Sequence, residues 1–111
     1  MTTKRLERTR SLLKRLAAQF IARNVSLTGV LTTVTRVEIA LSFDTATIFL
    51  SIWPREKEKE MMSLLYAVRK DFWAYLSRNL KMKHMPSFRF EIDEGEKARI
   101  RIEEILQKEK K

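Results

Sequence analysis

The 111-residue chain contains no cysteine, so neither a disulfide framework nor a thiolate metal site is open to it. It has only two glycines and two prolines, which argues against a low-complexity or disordered chain. No run approaches the ~18 consecutive apolar residues that a membrane span needs. The start, Met1-Thr2-Thr3-Lys4-Arg5-Leu6, is positively charged but has no apolar stretch behind it, because Lys14 and Arg15 interrupt any candidate. No signal peptide is read there, and the cytoplasm is the expected location. There is a single histidine, His84, in a basic connector. With no second histidine and no cysteine, the usual nucleophile–base pairs and metal-ligand sets cannot be assembled. The strand carboxylates Asp44, Glu38 and Glu91 are expected to pair with Arg36 and Arg89 across strands rather than to form an acid–base site. The chain is therefore expected not to be an enzyme and to need no cofactor, metal or small-molecule substrate.

What the sequence does have is positive charge, a formal +9, and it is unevenly placed. Residues 1–23 set Lys4, Arg5, Arg8, Arg10, Lys14, Arg15 and Arg23 against Glu7, and residues 61–90 set Arg69, Lys70, Arg78, Lys81, Lys83 and Arg89 against Asp71. The two remaining stretches are each balanced to within one charge. Clustered cations attract polyphosphate, since each neutralised phosphate releases a condensed counterion. Two dense segments in so small a chain point to nucleic acid more than to a merely solvated surface. An anionic membrane would feel the same charge, but no segment joins its cations to a broad exposed apolar face.

Length and a 44% hydrophobic content fit one domain with a modest core. Residues 4–23 read as an amphipathic helix with Leu6, Leu13, Leu16, Ala17 and Phe20 near one face. Asn24 is a plausible helix end, and Ser26 to Gly29 reads as a loop. Residues 30–42 read as a strand in which Val37, Ile39 and Leu41 share a face. Val30 and Val34 have the opposite parity, which a bulge near Thr33 to Arg36 would reconcile. After a tight turn at Phe43-Asp44, Thr45 to Trp53 reads as the second strand of an antiparallel hairpin. Ala46, Ile48, Leu50 and Ile52 lie on one side of it, and Thr47, Phe49 and Ser51 on the other. Pro54 ends it. The alternating charges of residues 55–60 open a helical pattern that runs to about Leu80 through Met61, Leu64, Leu65, Val68, Phe72 and Leu76. Ser87 to Asp93 is a third strand with Phe88, Phe90 and Ile92 on one face. Residues 96–107 read either as a short helix or, around Ile100-Arg101-Ile102, as more strand.

Several residues admit two readings. Phe49, on the outward strand face, could stack on a splayed base, but a lone aromatic there more simply covers the sheet or packs under the terminal segment. Trp73 is read as packing at the edge of the core stripe that Phe72 continues. Met61, Met62, Met82 and Met85 are read as gap-filling core and margin residues.

Three stretches now carry a family resemblance. Val34-Thr35-Arg36-Val37-Glu38-Ile39 looks like the first-strand signature of the ribosome-binding factor A family. Asp44-Thr45-Ala46-Thr47-Ile48-Phe49-Leu50-Ser51 is similar to the strand that follows. Leu80 to Asp93 resembles the family's basic connector, proline and third strand ending in aspartate. The resemblance spans about residues 4–106 in order and spacing. It implies a KH-like fold of the bacterial type, α-β-β-α-α-β. It also implies binding to the maturing small ribosomal subunit near the decoding region, with action on its rRNA. The family usually replaces the KH glycine loop with an Ala-x-Gly kink between its later helices. The matching positions here are Val68-Arg69-Lys70, with Ala67 one residue off, so side-chain charge from Arg69 and Lys70 could stand in for close backbone approach.

The reading taken from the sequence is a two-layer α+β, KH-like domain over residues 4–106 with a three-stranded sheet and a frayed tail at 107–111. It is expected to act as a monomeric, non-enzymatic assembly factor whose partners are the small ribosomal subunit and its rRNA, with no membrane partner. Phosphate contacts are expected from Arg69, Lys70, Arg78, Lys81, Lys83 and His84, with Lys4, Arg5 and Arg8 as a second set. The long helical pattern is expected to bend within residues 67–71, less sharply than in the family. That bend would leave Arg69 and Lys70 on the same side as Lys81 and Lys83. Two alternatives stay open: a protein-interaction module docking through Phe49 and the Arg36–Glu38 pair, and a generic KH-like RNA binder not tied to ribosomes.

Overall fold

The first amphipathic stretch forms helix α1, Thr2–Asn24, in the computed structural model, which describes residues 2–95 and Leu106. Leu13, Leu16, Ala17 and Phe20 are buried as their spacing predicts, and Ile21 and Val25 join them. At the helix end Asn24 Nδ2 also donates to the Phe20 carbonyl, 3.0 Å away, and the Val25 N–H closes the last turn on the Ile21 carbonyl at 3.0 Å. Gly29 then adopts φ +78 in the turn closed by Val30 N–H to the Leu27 carbonyl, the left-handed position that type II turns reserve for glycine.

Strand β1, Leu31–Ile39, pairs antiparallel with β2, Thr45–Trp53, and β2 pairs parallel with β3, Ser87–Ile92, in the order β1-β2-β3. The β1 register shifts between Val34 and Arg36, leaving Thr35 as the extra residue of a bulge. Side chains alternate along a strand, so Val34 and Val37 should face opposite ways; the bulge puts both in the core, opposite Leu50 and Ile48. The bulge is held from outside its own strand. Thr35 Oγ1 donates to Asp93 Oδ2 at 2.6 Å, and Arg36 Nε approaches the same oxygen at 3.4 Å. Asp93 is itself fixed by its N–H to the Leu50 carbonyl just past the end of β3.

The expected strand over 30–42 runs too far. Ala40 to Phe43 form the turn, with Phe43 N–H donating to the Ala40 carbonyl and Phe43 at φ 58. Leu41, expected on the buried face, is 90% exposed. Its alternation with Ile39 continued past the point where the backbone leaves the sheet.

The expected single helical pattern is divided. A 3-10 turn over Arg55–Lys57 leads into α2, Glu58–Ala67, and α3 follows at Arg69–Asn79. The break is at Val68, φ −100 and ψ 14, inside the predicted window. Val68 N–H is shared between the Leu64 and Leu65 carbonyls, both at 3.2 Å, and its own carbonyl accepts from Phe72 N–H. No side chain caps the start of α3 at Val68, and Asp71 places an acidic charge in its first turn. Arg69 supplies the local fixing instead. Its Nη1 donates to the Tyr66 carbonyl at 2.8 Å and its guanidinium lies 3.9 Å over the Tyr66 ring. The break also falls one residue earlier than the match made from sequence, so that Ala67-Val68-Arg69 straddles it.

The helices cover one face of the sheet. Ala46, Ile48, Leu50 and Ile52 of β2 lie under Leu13, Phe20, Met61, Leu65, Phe72 and Leu76. Phe72 is the hub, its ring 5.2 Å from Phe20, 5.7 Å from Phe88 and 5.0 Å from Phe90, which ties α1 and α3 to β3. Met61 is buried, while Met62, Met82 and Met85 pack at its margin as expected. The helix-or-strand expectation at 96–107, Leu106 aside, and the tail lie outside the described residues.

Candidate nucleic-acid interface

Arg69, Lys70, Arg78, Lys81, Lys83 and His84 are all exposed, as are Lys4, Arg5 and Arg8. The fold divides them. Arg69 and Lys70 share a groove of about 270 Å3 between α3 and β3 with Phe72, Trp73, Ser87, Phe88 and Phe90. That groove has two cations, four aromatic rings and no carboxylate among its lining residues. Arg78 sits on the other flank of α3, in a cleft against the end of α1 with Asn24, Asp71 and Tyr75. Lys70 and Arg78 are eight positions and about 80° apart around the helix, and the neighbours on each flank divide them: β3 beside Lys70 and the end of α1 beside Arg78. Lys81, Lys83 and His84 follow in the connector between α3 and β3. On α1, Lys4, Arg8 and Arg15 line one outer surface with Glu7, Ser11 and Leu12, while the Arg5 carbonyl accepts from Thr9 Oγ1.

The outer sheet face is different in kind. Arg36 pairs with Glu38, and Arg89 with Glu91 at 2.7 Å. These pairs run along single strands, two residues apart, and not across strands as expected. Side chains at i and i+2 share a face, and β2 places uncharged Thr47 and Phe49 between the two charged strands. The Arg36 guanidinium lies 3.8 Å over the Phe49 ring, so the half-buried Phe49 is already covered on the outer side. Asp44, at the hairpin turn, has its carboxyl held below the usual carboxylate range, first by the Ser42 hydroxyl at 2.6 Å and then by Thr45 at 3.3 Å. No group of three or more His, Cys, Asp or Glu able to hold a metal occurs among the described residues, and no helix there is long and apolar enough to cross a membrane.

Two aromatic side chains beside Arg69 and Lys70 stand more open than the sequence suggested: Trp73, weighed there for stacking but read as edge packing, and Tyr66, which was given no role. Trp73 lines the groove at 47% exposure, and Tyr66, just before the break, is 64% exposed beside Arg69. Their places on either side of Arg69 and Lys70 in the sequence were a legible signal that went unused.

Helices on one face of a mixed three-stranded sheet, in the order α-β-β-α-α-β, define a KH-like α+β domain of the bacterial type. A sequence profile described as ribosome-binding factor A matches residues 5–106. The ribosome-binding factor A of Protochlamydia amoebophila is 33% identical, over 97% of this chain and 85% of the relative. The crystal structure of ribosome-binding factor A from Thermus thermophilus superposes with a TM-score of 0.68 at 20% identity, covering 78% of this chain and 93% of the other. A homology model of the Thermus thermophilus protein, fitted into an electron cryomicroscopy map of its complex with the 30S subunit, gives 0.63 at 23% identity, covering 74% and 88%. The chain belongs to the ribosome-binding factor A family.

Proposed function

We propose that the protein is a non-catalytic assembly factor that binds the small ribosomal subunit in the cytoplasm as a monomer, contacting small-subunit rRNA through its basic surfaces. Family membership across residues 5–106 carries this reading. The complex of the Thermus relative with the 30S subunit supports the choice of partner. Charge supports the mode of contact. The expected phosphate ligands Arg69, Lys70, Arg78, Lys81, Lys83 and His84, and the second set Lys4, Arg5 and Arg8, all keep exposed side chains. Arg36 and Arg89, in contrast, are engaged by carboxylates of their own strands, which makes the outer sheet face a poor site for phosphate. Sucrose-gradient sedimentation with purified immature and mature small subunits tests the proposal. Co-sedimentation at low salt that fades as salt rises is the expected result. Failure to travel with either particle at low salt would refute it.

A further inference from the structure

The tip of the β1–β2 hairpin is more than a connection. A two-residue Asn-Gly or Asp-Gly turn joins antiparallel strands without strain. Here Ala40 to Asp44 make the link, and Phe43 takes φ 58, a left-handed backbone that is an outlier for a bulky side chain. Its surroundings impose that conformation. Phe43 N–H donates to the Ala40 carbonyl at 2.8 Å, and Ala40 N–H to the Thr45 carbonyl at 3.0 Å. The Ser42 hydroxyl donates to Asp44 Oδ1, and Ser87 N–H ties the Asp44 carbonyl to the start of β3 at 3.0 Å. The Phe43 side chain packs against the core, while Leu41 points outward at 90% exposure, more than any other large apolar side chain among the described residues. A single exposed leucine is ordinary on a protein surface. This one stands at the apex of a fixed and strained turn, and backbone strain of this kind clusters at binding and switch segments. The one charge between Ala40 and Thr47 is the exposed Asp44 carboxylate, which pairs with no cation among the described residues. On a chain of formal charge +9, the tip is therefore apolar and negative.

We propose that this tip docks on a basic protein of the small subunit, with Leu41 filling an apolar pocket whose lysine or arginine rim takes the Asp44 carboxylate. The inference rests on the small-subunit reading above and adds a protein contact to it. Proteins seated on rRNA carry excess positive charge for the same electrostatic reason as this one, so an anionic tip is complementary to them. A leucine can also wedge between stacked bases. The phosphates beside such a wedge would meet Asp44 and no cation of the tip. The basic connector of residues 81–84 leads into β3 beside the tip, yet none of its cations pairs with Asp44 among the described residues. A tip already fixed by its own hydrogen bonds loses little freedom on docking.

The test places the photoreactive residue p-benzoylphenylalanine at position 41 of the full chain and irradiates its complex with purified small subunits. Crosslinks to a basic ribosomal protein are expected. Leu41→Ser should weaken sedimentation with small subunits roughly ten- to hundredfold, and Leu41→Met should keep most of the affinity. Leu41→Ser should leave binding to protein-free small-subunit rRNA unchanged, and its thermal midpoint should hold because the side chain is exposed. The proposal is overturned if crosslinks fall only on rRNA or form nowhere, if Leu41→Ser binds subunits like the parent, or if it weakens binding to subunits and to protein-free rRNA alike. A parent that sediments with subunits while the crosslinks fall on rRNA leaves the proposed function standing and removes the docking tip. A parent that sediments with neither particle removes both.

Discussion

Replacing Asp93 with alanine should destabilise the protein far more than its place at a strand end suggests. The residue is only 8% exposed, and its carboxylate accepts the hydroxyl of Thr35 at 2.6 Å and faces Arg36 Nε at 3.4 Å. A hydrogen bond to a charged group contributes about 1.5–3 kcal/mol, and deleting the acceptor leaves the partly buried hydroxyl only its longer contact to the Phe49 carbonyl at 3.3 Å. The arginine contact is long and Arg36 is half exposed, so it adds little. A loss of about 2–3 kcal/mol follows, against a total stability of about 5–15 kcal/mol for an ordinary domain. The cost has a definite structural origin, because Thr35 is the residue that lets Val34 and Val37 both face the core. Urea denaturation of Asp93→Ala, Thr35→Val and the double variant would give the coupling between the two side chains. A coupling of about 1 kcal/mol or more is expected, with unchanged m-values. A cost below about 0.5 kcal/mol for Asp93→Ala, or full additivity, would refute the idea that this aspartate secures the bulge.

Other outcomes follow from the same packing. Phe72→Ala removes the ring that joins Phe20, Phe88 and Phe90 and should cost about 3–5 kcal/mol by thermal or chemical unfolding; a loss under about 1 kcal/mol would mean that the hub is not formed. Leu41→Ser should change stability by less than about 0.5 kcal/mol, since the side chain lies in the turn, whereas a large loss would restore it to the strand. Ser42→Ala should raise the pKa of Asp44 toward the ordinary carboxylate value in an NMR titration. The sign follows from the depressed folded-state pKa: whatever stability this bond contributes is present above the unfolded-state pKa and is lost as pH falls through the folded one. An unshifted Asp44 in the variant would remove the Ser42 hydroxyl as the cause.

Periodicity made most of the fold legible. The α1 stripe, the alternation of β2 and β3, and even the bulge could be read, because Val34 and Val37 share no parity and both are too apolar to leave in water. The end of β1 could not be read, since Leu41 continues the alternation and only the backbone of Ala40 to Phe43 shows that the strand has stopped. The helix break was foreseeable because a straight helix of 24 residues, about 36 Å long, would overhang strands of about 30 Å, while the residues from Val68 to Asp71 include no proline or glycine to announce it. Its stabilising contact, Arg69 over Tyr66, depends on which way the chain turns at Val68 and so cannot be seen in spacing alone. The candidate interface was legible as charge but not as grouping. The sequence put Arg69, Lys70 and Arg78 in one set, whereas α3 turns Arg78 toward α1 and the other two toward β3.

The central claim is that Arg69 and Lys70 hold RNA phosphate at the α2–α3 break. The salt dependence of binding to small-subunit rRNA, measured for the parent and for the double variant Arg69→Glu and Lys70→Glu, tests it most directly. Each phosphate contact on single-stranded RNA lowers log K by about 0.7 per log unit of salt, and about 0.9 on a duplex. Loss of two contacts should therefore flatten the slope by about 1.4–1.8 and weaken binding sharply at low salt. Lys70→Glu alone should leave the thermal midpoint in place, whereas Arg69→Glu also removes the contact to Tyr66 across the break and should cost about 1 kcal/mol, short of unfolding the domain. A variant with the parent's slope and affinity would contradict the account, and one that unfolds would make the two residues part of the helix junction instead of the interface.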